Sequence, residues 1–107
     1  MEKTIESIDF AKGDGIVPVI VQDVNSKQVL TLAYTNKESL ELTKKTGNSW
    51  FWSRSRNKLW MKGEESGNTQ KVKEILVDCD SDALIYLVEP SGPACHTGEG
   101  TCFHNKM

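Results

Sequence analysis

The stretch Ala83-Leu84-Ile85-Tyr86-Leu87-Val88-Glu89 decides the fold class, because its continuous apolar run from Ala83 to Val88 makes it the surest strand of the chain. Upstream, Gln70 to Asp78 reads as a second strand, and Ser49 to Ser55 and Leu59 to Lys62 as two shorter ones. Val17 to Val24 and Gln28 to Tyr34 are β-branched or aliphatic runs split by Asn25-Ser26-Lys27, which predicts a hairpin. One short helix lies between the hairpin and the later strands. Thr35 and Glu38 have the spacing of a capping box, Leu40 and Leu42 are the apolar residues inside, and Gly47 is the stop. Pro90 to Met107 reads as loop and tail. The expected fold is α+β, mostly antiparallel β with one or two short helices in a compact single domain.

Length and charge bound the rest. A chain of 107 residues makes one domain, over 1–107. A domain of this size buries only about two thirds of its unfolded surface, so a dimer that adds buried area would help it. The net charge of -2 and a hydrophobic content of 37% fit an ordinary globular protein and exclude disordered and broadly nucleic-acid-binding classes. No apolar run approaches the length that spans a bilayer, so no membrane partner is expected. Repeats and low-complexity tracts are absent from the sequence. Met1-Glu2-Lys3-Thr4-Ile5 is polar, which predicts no secretory segment and a cytoplasmic location where thiols stay reduced.

The chain has three cysteines, Cys79, Cys95 and Cys102. An odd number cannot pair fully within one chain, so a disulfide framework is not expected. Three thiolates on a zinc ion leave a fourth position open, as in catalytic rather than structural zinc sites. The competing reading is unligated core cysteines, which suits Cys79 better than the others. Cys95 and Cys102 sit among Gly92, Pro93, Gly98 and Gly100, a turn-forming composition.

Asp78, Asp80 and Asp82 form a second candidate metal set. In an extended segment, residues two apart share a face, which would bring three oxygens to one side and leave Cys79 on the other. Hard oxygen suits magnesium and soft sulfur suits zinc. An EF-hand loop is rejected, because Ala83 replaces the required glycine and Leu84 to Val88 reads as strand; a plain acidic turn is the remaining alternative.

Between Thr43 and Gly63 stand Lys44, Lys45, Arg54, Arg56, Lys58 and Lys62 with no acidic residue, although the chain as a whole is acidic. The arginines offer bidentate contacts to phosphate. The bland reading is a solvated hairpin in which alternation puts Trp50 and Trp52 on one face and Phe51 on the other. Aromatic stacking plus basic charge would equally serve a single-stranded nucleic acid.

Trp52-Ser53-Arg54-Ser55-Arg56-Asn57-Lys58-Leu59-Trp60, Lys62-Gly63-Glu64-Glu65-Ser66-Gly67-Asn68-Thr69-Gln70, Asp78-Cys79-Asp80-Ser81-Asp82-Ala83-Leu84, Cys95-His96-Thr97-Gly98 and Cys102-Phe103 follow one another in this order. Together they make a chain that strongly resembles the phosphoribosyl-AMP cyclohydrolases of histidine biosynthesis, from about Gly15 to Phe103. One departure is Thr35, where the resemblance leads us to expect methionine. The pyrophosphohydrolase domain often fused to this family is not expected here. The resemblance implies water-driven opening of the purine ring of phosphoribosyl-AMP between N1 and C6. It also implies one zinc per subunit on Cys79, Cys95 and Cys102, one magnesium per subunit on Asp78, Asp80 and Asp82, and an intertwined homodimer with zinc ligands from both subunits. From the chemistry, His96 is the candidate base, with His104 a weaker one. Arg54, Arg56 and Lys62 would hold the phosphates and Trp60 would stack on the purine. The expected partner is this small molecule and no nucleic acid. Two other classes remain as rivals: a zinc module for single-stranded nucleic acid built on Trp50 to Lys62, and an enzyme with Cys95 as nucleophile beside His96.

Overall fold

A computed structural model describes residues 3–107. The strands are β1 (Val17–Asp23), β2 (Val29–Thr35), β3 (Trp50–Ser53), β4 (Lys58–Met61), β5 (Gln70–Val77) and β6 (Leu84–Pro90), and the helix is α1 (Lys37–Thr46). Two single 3₁₀ turns at Ile5–Ser7 and Ala11–Gly13 precede β1. The fold is α+β, and Pro90 onward is loop and tail apart from the end of β6, as expected.

Four strands form a mixed sheet in the order β2-β1-β6-β5, and β3 and β4 form a separate hairpin. Neighbours pair antiparallel except β1 with β6, which run parallel. A parallel pair needs a long crossover. Here the crossover is everything between β1 and β6, and it carries α1 and the β3–β4 hairpin onto one face of the sheet.

The pairing registers sort the side chains by face. Ala33, Val19, Leu84 and Val77 form one row across the sheet, and Thr31, Val21, Tyr86 and Ile75 the next. This face is the core: Val19, Val21 and Tyr86 are fully buried and pack with Leu40 of α1 and Phe51 of β3. Phe51 stacks on Tyr86 at 5.9 Å and meets Trp60 at 5.0 Å. Emptying the Phe51 site should cost about 3–5 kcal/mol, as for other buried aromatic side chains. The opposite face carries the row Leu32, Ile20, Ile85 and Leu76. Ile20 is 37% exposed, Leu32 46% and Leu76 40%. The apolar run from Ala83 to Val88 is therefore continuous because both sheet faces are apolar; Leu87 is buried on the second face, but the row through Leu32, Ile20 and Leu76 stays partly open within the chain.

Helix α1 starts one residue later than expected. Asn36, not Thr35, is the N-cap: its side chain accepts from the Ser39 backbone N–H at 2.8 Å, and the Ser39 hydroxyl accepts from the Asn36 N–H at 2.9 Å. Thr35 is fully buried and its hydroxyl bonds that of Ser39, so its polar group is satisfied inside the core. Gly47 ends the helix at φ 77°, in the left-handed region, as its position in the sequence indicated.

Candidate active site

The acidic set forms on a turn, not on an extended strand. β5 ends at Val77, the Ser81 N–H donates to the Asp78 carbonyl at 3.0 Å, and Ser81 takes φ 60°. The turn folds back on itself and brings one oxygen from each of Asp78, Asp80 and Asp82 within 4.8 Å of the others. The convergence inferred from alternation is thus correct, but its cause is different. Asp78 Oδ1 accepts from the Asp82 N–H at 2.9 Å. Lys12 Nζ donates to Asp82 Oδ2 at 2.6 Å, which lowers the Asp82 carboxyl below its ordinary value. Asp80 makes no side-chain hydrogen bond among the described residues. Lys3 Nζ ties the outside of the turn through the Asp78 and Cys79 carbonyls and the Ser81 hydroxyl. A convergent set of hard carboxylate oxygens is what a divalent cation of the magnesium kind requires.

Cys79 is exposed on this turn and Cys95 is buried, the reverse of the core-cysteine reading. Cys95 sits at the start of a tight loop in which Gly98 N–H donates to its carbonyl and its own N–H donates to Glu99. The Thr97 hydroxyl donates to Cys95 Sγ at 3.1 Å, and His104 Nε2 lies 3.9 Å from the same sulfur. These donors, first the Thr97 hydroxyl, then the Thr97 backbone, with smaller help from His104 and Cys102, bring the Cys95 thiol from 9.0 down to about 6. A sulfur held towards the thiolate is the form that binds zinc. Cys102 is fixed from the other side, because its N–H donates to the Leu30 carbonyl at 2.7 Å while the Thr101 hydroxyl bonds Val29. Among the described residues, the carboxylate trio is the only group of three or more such ligands in contact, so Cys79 does not meet Cys95 and Cys102 within one chain. His96 is exposed and makes no side-chain hydrogen bond among the described residues, while His104 approaches Cys95.

The loop that carries Cys95 is braced at its root. Ser91 N–H donates to the Thr69 carbonyl at 2.8 Å, and the two hydroxyls lie 3.1 Å apart. A Cβ on Gly92 would collide with Asn68 Oδ1, and one on Gly63 would collide with the Asn68 and Thr69 backbone. Gly63 also has φ 83°, so only glycine fits there without strain.

In the basic hairpin, Phe51 points into the core and Trp50 and Trp52 lie half-buried on the other face, as alternation required. Arg54 and Trp60 meet in an open groove of about 540 Å³ with Tyr34, Trp52 and Ser53. Arg56 lies on the exposed β3–β4 turn and Lys62 follows β4, both outside that groove. Trp60 has one ring already in contact with Phe51.

The phosphoribosyl-AMP cyclohydrolase family profile matches residues 31–104. The phosphoribosyl-AMP cyclohydrolase of Nitrosopumilus maritimus is 78% identical over 107 residues, covering 100% of this chain and 99% of the relative. The chain belongs to the phosphoribosyl-AMP cyclohydrolase family. A Clostridium botulinum phosphoribosyl-AMP cyclohydrolase is 54% identical over 107 residues, covering 100% of this chain and 97% of its own length. The histidine biosynthesis bifunctional protein HisIE of Bacillus subtilis is 68% identical over 90 residues, 84% of this chain but 43% of that protein.

Sequence reading missed several members of the site. Thr97 lay in a quoted motif, but its bond to Cys95 depends on the loop path. Lys12 gave no signal at all, since its partner is 70 residues away. Tyr34 was visible only as the end of a strand and Asn68 only as a motif position. No helix among the described residues is long and apolar enough to cross a membrane.

Proposed function

We propose that this chain catalyses the hydrolytic opening of the purine ring of phosphoribosyl-AMP between N1 and C6, as a step of histidine biosynthesis in the cytosol. The observation that carries the reading is family membership along the full chain, with each quoted motif lying at a site element. Asp78, Asp80 and Asp82 would hold one magnesium per subunit. Cys79 of one protomer, with Cys95 and Cys102 of its partner, would hold one zinc per subunit. When bound, zinc supplies the Lewis acidity that makes water a nucleophile near neutral pH. The separation of Cys79 from the other two thiols within a chain favours this shared arrangement. The open row Leu32, Ile20, Ile85 and Leu76 supplies an apolar face for the second copy to cover.

The chain's own groups have three tasks. Arg54, Arg56 and Lys62 anchor the two phosphate-bearing ends. Trp60 offers the exposed part of its ring to the purine. A histidine takes the proton from the attacking water as oxygen bonds C6, and returns it to N1 as the N1–C6 bond breaks. His96 is assigned that proton. His104 is the second reading, favoured by its 3.9 Å approach to Cys95.

The test is the absorbance change on ring opening, with phosphoribosyl-AMP and protein loaded with zinc and magnesium. Turnover that is lost on chelation and restored by zinc is expected. Failure of the loaded protein to open the ring overturns the reading. Undiminished turnover in zinc-free protein, abolished by alkylation, would instead assign Cys95 as a nucleophile.

A further inference from the structure

Arg54 stands just past the end of β3 with its guanidinium carbon 3.8 Å from the centre of the Tyr34 ring. That distance puts the flat cation against the aromatic face. Tyr34 is half-buried on β2, paired across from Pro18, and its neighbour Thr35 is fully buried, so the ring is carried by a rigid strand. Arg54 itself is exposed and belongs to the β3–β4 turn, where Asn57 takes φ 55°. Among the described residues it makes no ion pair and no side-chain hydrogen bond. Its planar face is therefore engaged while its N–H edge stays available, and that edge is what a phosphate binds in bidentate fashion. Both residues line the same groove as Trp52 and Trp60.

We propose that Tyr34 is a positioning residue: its ring holds the Arg54 guanidinium across the groove so that the free edge meets a phosphate monoester of the substrate. This rests on the reading of Arg54 as a phosphate ligand. Among the described residues the Tyr34 hydroxyl makes no hydrogen bond, so the ring alone performs this role. A long, exposed arginine without a ring beneath it must be ordered when ligand arrives, and that ordering weakens binding without altering the chemical step.

The test compares kcat and KM for phosphoribosyl-AMP in the metal-loaded enzyme and in Tyr34→Leu, Tyr34→Phe, Arg54→Gln and the double variant Tyr34→Leu/Arg54→Gln. Melting temperatures are measured alongside, and Tyr34→Met replaces Tyr34→Leu if the latter does not fold. Loss of an exposed cation–π contact corresponds to a KM raised about two- to fivefold, with kcat nearly unchanged. Phenylalanine should restore the wild-type KM. Once Arg54 is gone, removing the ring should add nothing, so the double variant should match Arg54→Gln. Multiplying effects in the double variant, a fall in kcat at constant KM, or a Tyr34→Phe as impaired as Tyr34→Leu would overturn the proposal. A wild-type KM in Arg54→Gln refutes the phosphate-ligand reading and the proposal with it. A raised KM in Arg54→Gln beside a wild-type KM in Tyr34→Leu removes the role of Tyr34 alone.

Discussion

The acidic turn after β5 draws its carboxylates from five consecutive residues, 78 to 82, while the sulfur site after β6 gathers Cys95, Thr97, Cys102 and His104 from ten and leaves Cys79 outside. The first needs only a local backbone reversal, because the side chains are short and a turn at Ser81 brings their oxygens together. The second needs a braced loop at Ser91 and Gly92 and an anchor on β2 at Leu30. The three oxygens thus converge within one chain, whereas the set of three thiols stays incomplete there among the described residues. A local motif can build a hard-cation site alone, but thiols spread over 24 positions depend on tertiary or quaternary contacts.

The largest expected effect tests that incompleteness. Changing Cys79, Cys95 or Cys102 to serine should lower turnover by more than the roughly 10- to 100-fold that loss of an outer partner costs a metal site, with loss of zinc measured in parallel. Cys79→Ala and Cys102→Ala chains, unfolded and reassociated together, should then recover about a quarter of wild-type activity, since about half the dimers are mixed and each has one intact site. Persistent inactivity in mixed dimers confirmed by mass would place all three ligands in one chain.

The oxygen set should break independently. Asp80 makes no side-chain hydrogen bond among the described residues, so Asp80→Asn leaves the turn standing. It should reduce magnesium affinity by about tenfold or more, read by calorimetry, with zinc content nearly unchanged and the melting temperature kept. Parallel loss of zinc would show that the two sets are not separate.

Gly63→Ala acts on the brace beneath the cysteine loop. The left-handed φ and the collision with the Asn68 backbone together should cost about 2 kcal/mol, or roughly 10 °C in melting temperature. Gly92→Ala meets only the tip of the Asn68 side chain, so its milder defect should be relieved by Asn68→Ala. Magnesium binding should remain in both.

The smallest effect belongs to Lys12, which ties the acidic turn to the 3₁₀ turn at Ala11–Gly13. The Lys12 hydrogen bond first, then that of Asp78, lowers the folded-state pKa of Asp82, so the resulting stability is present above the usual carboxylate range and fades as pH falls through the lowered value. Lys12 is raised by the same contact, so its share fades as pH rises through that raised value. Lys12→Met in metal-free protein should therefore lower the melting temperature slightly near neutrality and have no effect in strong acid. A constant difference at every pH would mean that packing, not charge, is what Lys12 contributes.

Most of the sheet was legible in the amino-acid order because strand alternation is a local property. The runs Val17 to Val24 and Ala83 to Glu89 announce β1 and β6 to within a residue at each end, and Phe51 declares its inward face. Gly47 marked the helix end for the same reason: a left-handed residue is a local need. The cap was misplaced by one residue because Thr35 and Asn36 both carry suitable oxygens, and only burial of Thr35 against Ser39 separates them. The motifs identified the family, since the residue types of the site are fixed by chemistry.

Tertiary structure decided everything that joins distant positions. No pattern in the sequence pairs β1 parallel with β6, sets Tyr34 beneath Arg54, brings Lys12 to Asp82 or presses Gly92 against Asn68. Each of these is a contact whose energy depends on where two separate pieces of backbone end up, and that placement follows from the packing of the whole core rather than from either segment's own sequence.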